Sequence, residues 1–179
     1  MAPYQCMQAS AQVRGEFVIP MIDSAGPFQD IPLKILADNG INEPQPGEWY
    51  SYQAYLNSLK AIAAKMGPAT MFLIGKWMVE DSKWPADMDS MDRLFEALDQ
   101  TYRAYHRGES NSYKTAKVDE KNIRVTSQSP YPEDVERGLI ETLVRKYKPK
   151  NVLTARVKVD PSQPSKSKGS NSSSYLVSW

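Results

Sequence analysis

The segment Ser129–Lys148, SPYPEDVERGLIETLVRKYK, divides the chain into two kinds of sequence. Upstream of it the pattern is helical with one short hairpin; downstream it is strand and loop. Pro132 suits the first position of a helix, where its missing N–H is not needed and its fixed φ is already helical. Glu133, Asp134 and Glu136 put negative charge in the first turns, and Arg145, Lys146 and Lys148 put positive charge in the last. That order complements the helix dipole at both ends. Val135, Leu139, Leu143 and Tyr147 recur every four residues, and Ile140 and Val144 widen the stripe, so one face must be buried. Pro149 forbids continuation. The pattern predicts a helix over 132–148.

Working outward toward the N-terminus, the residues 112–118 and 122–127 are short and β-tolerant. Asp119-Glu120-Lys121 joins them as the turn of a hairpin. Before them Met91, Leu94, Phe95, Leu98, Tyr102 and Tyr105 form one stripe, which predicts a helix over 90–106. Asp89 with Asp92 reads as its acidic capping pair. His106 falls at the edge of that stripe. Tyr52, Tyr55, Leu56, Leu59, Ile62 and Met66 predict a helix over 51–66 that Gly67-Pro68 ends, with Pro68 opening another. In the next helix Met71, Phe72, Leu73, Ile74, Trp77 and Met78 are apolar almost all round, so it belongs at the centre of the core. A short helix over 31–36 stops at Asn39-Gly40. Val13–Ile22 is either an edge strand or the entry to the first helix, since Pro20 interrupts it. Residues 1–12 have no period and read as a loose arm ahead of a single domain over 13–179.

Toward the C-terminus, Leu153, Ala155, Val157 and Val159 alternate with polar residues, as in a half-buried antiparallel strand over 151–159. Pro161–Ser174 is a Ser-, Lys- and Pro-rich loop. Tyr175, Val177 and Trp179 form a terminal strand, which must pair with 151–159 because no helix connects the two. The expected fold is α+β, with helices on one face of a roughly four-stranded antiparallel sheet.

Composition narrows the function. The 179 residues suit one domain with a proper core, and a formal net charge of +1 rules out a general polyanion binder. One cysteine, Cys6, leaves no internal disulfide or thiolate zinc site, and one histidine, His106, leaves no His-pair metal motif. The longest apolar run, Ala69–Val79, is too short to cross a bilayer, and no basic-then-apolar leader is visible. A reduced, cytoplasmic protein is the expectation. No phosphate loop, GxSxG elbow, HExxH or CxxC is present. Cys6 reads as a bystander thiol, and no Ser near His106 has the setting of a nucleophile. The expectation is therefore a non-enzyme.

Three clusters remain. Asp81, Asp87, Asp89 and Asp92 around Trp84 suit helix capping better than a cation site. Arg145, Lys146, Lys148, Lys150, Arg156, Lys158, Lys166 and Lys168 form a basic C-terminal third without interleaved exposed aromatics. It is a solvated face, or next a docking face, rather than a nucleic-acid interface. Four tryptophans, ten tyrosines and eight methionines are many for a small domain. Large aromatic and flexible side chains with a few polar tips line apolar ligand pockets, and they also fill ordinary cores.

The pattern PYP, an acidic patch, Arg137-Gly138-Leu139-Ile140-Glu141, a strand and the terminal Ser174-Tyr175-Leu176-Val177-Ser178-Trp179 resembles the vinyl-reductase-like family. Its members are similar to bacteriochlorophyll 4-vinyl reductase and to archaeal hydrocarbon-binding proteins. Phe72-Leu73-Ile74-Gly75 and Tyr105-His106-Arg107-Gly108 extend the likeness over most of residues 50–179. The resemblance implies an α+β small-molecule sensor domain, often dimeric, related in architecture to haem-based nitric oxide sensors. It also implies a departure. Glu133 stands where the family has a first cysteine, and Ser165 and Ser173 stand near the other two, so the family's thiolate metal site is not expected here.

Together these readings predict a homodimeric, non-enzymatic sensor for an apolar or aromatic small molecule, without nucleic acid or membrane insertion. The expected pocket lies between helices 69–79 and 90–106 and the sheet, lined by Phe72, Trp77, Trp84, Tyr102, His106 and Tyr113. Arg137 is expected to hold helix 132–148 against the sheet through a carboxylate. The alternatives are a haem or tetrapyrrole binder with His106 as axial ligand and a ligand-free dimeric interaction module.

Overall fold

The computed structural model describes residues 3–86, 88–110 and 112–179. The chain runs β1 (Gln12–Arg14), α1 (Gly15–Val18), α2 (Pro20–Asp23), α3 (Asp30–Asp38), β2 (Trp49–Ser51), α4 (Tyr52–Asp81), α5 (Met91–Tyr105), β3 (His106–Arg107), β4 (Tyr113–Asp119), β5 (Asn122–Ser127), α6 (Glu133–Tyr147), β6 (Arg156–Val159) and β7 (Ser173–Ser178). The fold is α+β, as the periodicities require. A four-stranded antiparallel sheet has the order β4-β5-β7-β6, and its two C-terminal strands pair with Val157 opposite Val177. Ile123, Val125, Tyr175 and Val177 of its central strands are buried beneath the helices.

α4 is two helices end to end. Gly67 has φ 79° and ψ −177°, outside the helical region, and Pro68 restarts the helix after it. The second half of α4 packs on α6 at backbone contact. A Cβ on Gly75 would overlap the Val135 carbonyl oxygen, and one on Gly138 would overlap that of Phe72. The reciprocal glycines let two helices approach closer than any side chain permits, and this fixes the face that α6 turns inward. Val135, Leu139, Ile140 and Leu143 are buried there, as the stripe predicts.

Several expectations change. α6 begins at Glu133 with Pro132 as its extended N-cap residue, one position later than the sequence suggests. Ser90, not Asp89, caps α5, its hydroxyl accepting from the Arg93 N–H at 3.2 Å. Residues 4–11 are docked rather than loose: the Tyr4 N–H donates to the Pro130 carbonyl at 2.8 Å, and the Gln53 amide holds the Tyr4 carbonyl at 2.9 Å. β1 is the central strand of a second sheet, β2-β1-β3, which no local pattern announces because its strands have two or three residues each. The strand expected over 151–159 starts only at Arg156, and Leu153, expected inward, is 87% exposed. Arg137 does not reach the sheet. It pairs with Asp134 at 3.4 Å and Glu141 at 3.9 Å on its own helix and lies over the Phe72 ring.

Candidate functional site

α5 carries the aromatic stripe and ends at Tyr105. His106 is extended, with φ −132° and ψ 136°, because it is already the first residue of β3, opposite Val13. That change of backbone turns the imidazole into the interior, where it is 4% exposed. Nδ1 lies 2.8 Å from the Tyr102 carbonyl oxygen. A carbonyl only accepts, so Nδ1 carries the proton and Nε2 accepts from the Tyr131 hydroxyl at 2.7 Å. Burial lowers the imidazole pKa to about 3, with the Tyr102 carbonyl opposing the shift, so the ring is neutral near pH 7.

Rings enclose the imidazole. Tyr102 stacks on it at 4.1 Å between centroids, with Tyr52 at 4.9 Å, Phe17 at 5.1 Å and Tyr131 at 5.6 Å. Tyr113 meets Tyr102 edge-on at 5.5 Å, and the Tyr52 and Tyr102 hydroxyls lie 3.4 Å apart. Burial pushes the phenols of Tyr52, Tyr55, Tyr113 and Tyr131 well above their ordinary range. Two of these buried hydroxyls, on Tyr55 and Tyr113, have no hydrogen-bond partner among the described residues. Ser127 and Ser129 are the polar groups beside Tyr113; both give their protons to Glu136, and neither oxygen meets the Tyr113 hydroxyl in hydrogen-bond geometry.

Glu136 is the centre of a second buried cluster. Its carboxylate accepts from Ser127, from Ser129 at 2.6 Å, from the Lys166 ammonium at 2.5 Å and from the Tyr175 hydroxyl at 2.8 Å. Lys166 also donates to the Tyr131 carbonyl at 2.9 Å, so the two clusters meet at Tyr131. Sequence reasoning assigned Glu136 to the helix dipole and Lys166 to a solvated basic face. Both are buried. The only advance signal was the Ser127-x-Ser129 pair just before α6. Next to this cluster, Glu133 accepts from Ser173 at 2.5 Å. Burial opposes ionisation of Glu133, yet the hydroxyls of Ser173, Ser167 and Ser165 hold its carboxyl below the usual range. Positions 133, 165 and 173 therefore do converge, as a carboxylate among hydroxyls rather than a thiolate set.

Of the six residues expected to line one pocket, the fold gathers three. Tyr102, His106 and Tyr113 share the interior cluster. Phe72 lies under Arg137 in an outer groove, Trp77 sits beside Lys76, and Trp84 caps α4 by donating its indole N–H to the Val79 carbonyl at 3.0 Å. The aspartates near Trp84 do not assemble. Asp87 lies outside the described residues, and among those described no three His, Cys, Asp or Glu residues are placed to hold a metal. Asp81 instead faces Asp23 across the end of α4, and burial followed by that like charge pushes its pKa up to about 6. Cys6 contacts Gln8 and Gln53, and burial followed by the nearby Glu109 carboxylate pushes its thiol pKa up.

No protein-family model matches the sequence, and no curated protein matches it. The fold does have relatives among solved structures. An H-NOX protein from S. oneidensis in the Fe(II)NO ligation state superposes with a TM-score of 0.67, at 9% identity, over 92% of this chain and 97% of that one. An unliganded Fe(II) H-NOX mutant from K. algicida gives 0.62 at 13% identity over 92% and 95%. An oxygen-binding H-NOX domain related to soluble guanylate cyclases gives 0.58 at 16% over 91% and 89%. The chain thus has the fold of the H-NOX domains. The architectural half of the expected resemblance holds. No described helix is long and apolar enough to cross a membrane.

A haem does not fit this chain's interior as it is arranged. An axial imidazole needs a free ring nitrogen, and both nitrogens of His106 are engaged. A porphyrin needs a slot beside that nitrogen, and the rings of Tyr52, Tyr102 and Tyr131 fill the space.

Proposed function

We propose that this chain is a non-enzymatic, sensor-type domain that binds a small aromatic or apolar molecule between α5 and the four-stranded sheet. The observation that carries the reading is the pair of buried, unpartnered hydroxyls on Tyr55 and Tyr113, set in a cluster of polar-tipped rings. Leaving a buried donor unsatisfied costs about 1–3 kcal/mol. Phenylalanine would fill the same space without that cost. Donors retained at this cost suit a ligand that accepts from them once a ring has swung aside, which makes the present arrangement the closed state of a two-state element. Phe72, Trp77 and Trp84 fall outside this site, and Tyr52, Tyr55 and Tyr131 join it.

Native mass spectrometry of the purified protein, compared with its denatured mass, tests the reading and the expected homodimer together. A retained small-molecule mass, and displacement of a fluorescent hydrophobic probe by extracted ligand, are the expected results. Equal masses with no probe binding would overturn it.

The H-NOX fold favours a second reading, a haem or tetrapyrrole binder with His106 as axial ligand. For it, Tyr131 must release Nε2 and the rings of Tyr52 and Tyr131 must move. Reconstitution with haemin decides: a Soret band lost in His106→Ala supports this reading, and a colourless protein excludes it.

A further inference from the structure

β6 and β4 are the two edges of the four-stranded sheet, and they are treated differently. The register of β4 breaks between Lys117 and Asp119, a common way of spoiling an edge for pairing. β6 has no such break. The Asp160 N–H donates to the Ser174 carbonyl at 2.8 Å, so the 160–174 pair is a hydrogen-bonded one. Antiparallel pairs alternate. The pairs 158–176 and 156–178 are therefore bonded too, while Val157 and Val159 turn their N–H and C=O groups to the outer edge, where no strand of the described residues meets them. Beside this edge runs a groove of about 500 Å³, floored by Val144 of α6 and the chain 154–158. Its charge is one-sided: Arg145, Lys148, Arg156 and Lys158 line it against Glu141 alone. Glu141 already faces Arg137, whereas Arg156 and Lys158 make no ion pair among the described residues.

We propose that the β6 edge and its groove bind an extended acidic segment of a partner protein, which adds as a fifth strand. Backbone groups of Val157 and Val159 supply the ladder, and the basic side chains on either side select the sequence. A second copy of this chain is a poor occupant, because pairing two β6 edges would oppose Arg156 and Lys158 to their own kind. The inference does not depend on the interior's taking a ligand.

The test uses a fluorescein-labelled decapeptide of alternating Glu and Val, with alternating Lys and Val as control, at low salt. Anisotropy and amide chemical shifts are both read. Expected are binding of the acidic peptide alone, shifts confined to residues 154–159 and the facing turns of α6, and weakening on adding salt. The double variant Arg156→Glu/Lys158→Glu, both exposed, should lose about tenfold or more in affinity with its thermal midpoint unchanged. Val157→Pro should abolish binding by removing an edge donor. Binding unaffected by the charge reversal, shifts elsewhere, or no binding at millimolar peptide would overturn the proposal. So would a dimer in sedimentation that Val157→Pro dissociates, which would assign the edge to a second copy.

Discussion

His106 and Glu136 are both fully buried titratable groups, within one network that joins at Tyr131, yet the chain keeps them by opposite means. His106 is held neutral. It has two partners, one accepting its Nδ1 proton and one donating to Nε2, and a wall of rings that makes a charge unaffordable. Glu136 is paired. Two serines, a tyrosine and a buried lysine surround its carboxylate, the serines and the lysine on Oε1 and the tyrosine on Oε2, and the ammonium balances the charge. The difference shows how a small α+β domain can carry polar groups in its interior. The neutral solution can rearrange, because each hydrogen bond is modest and the rings can turn. The ionic solution cannot, because losing one member strands a charge.

The largest effect that separates the two clusters should come from Lys166→Met. It leaves the Glu136 carboxylate with its three hydroxyl donors but without a counter-charge, and breaking a buried pair in this way costs about 3–5 kcal/mol. The urea midpoint measures it, and the double variant Glu136→Gln/Lys166→Met should recover most of the loss. A double variant no more stable than the single would show that packing, not charge, holds the loop at 166 against α6.

Acid should strike the neutral cluster next. The folded pKa of His106 lies near 3, below the unfolded value of 6.5. The unfolded chain then binds the proton first as pH falls, so stability from this residue is complete above 6.5 and declines toward pH 3. The slope is about 1.4 kcal/mol per pH unit. In His106→Phe this component should vanish, although the variant loses about 1–3 kcal/mol at pH 7 because Tyr131 and the Tyr102 carbonyl lose their partner. An unchanged pH slope in that variant would move the titration to other groups.

Gly138→Ala tests the scaffold common to both clusters. Its Cβ must push α6 off the Phe72 carbonyl, and overpacking of this kind costs about 1–3 kcal/mol. The smallest and most informative change is Tyr113→Phe. Removing an unpartnered buried hydroxyl should stabilise the protein by up to about 1 kcal/mol while weakening retention of any bound molecule. Stabilisation without a change in retained mass would count against a ligand role for that hydroxyl.

Much of the fold was legible in local sequence. The α6 stripe, the 113–127 hairpin, the paired terminal strands and the break at Gly67-Pro68 all rest on periodicity or on backbone chemistry that acts within a few residues. The second sheet was not legible, since β1, β2 and β3 are too short to have a period and are assembled from segments some forty to ninety residues apart. The site divides the same way. Tyr102, His106 and Tyr113 were picked out by composition along one helix and the strand that follows it. Tyr52, Tyr55 and Tyr131 looked like ordinary core, because a tyrosine's hydroxyl partner cannot be read from its position in a stripe.

By itself the sequence determined the main helical stripes, the ends of α5 and α6 to within one residue, and that one cysteine and one histidine cannot supply a thiolate cluster or a His pair within one chain, because these follow from residue type and spacing alone. Only the tertiary structure decided that Lys166 of a serine-rich loop reaches Glu136, that His106 is turned inward with both nitrogens engaged, and that positions 133, 165 and 173 converge. Each of these contacts joins segments whose meeting is set by the close approach of α4 and α6 and by the pairing of β5 with β7. A buried charge or imidazole is stable only where those distant partners arrive together.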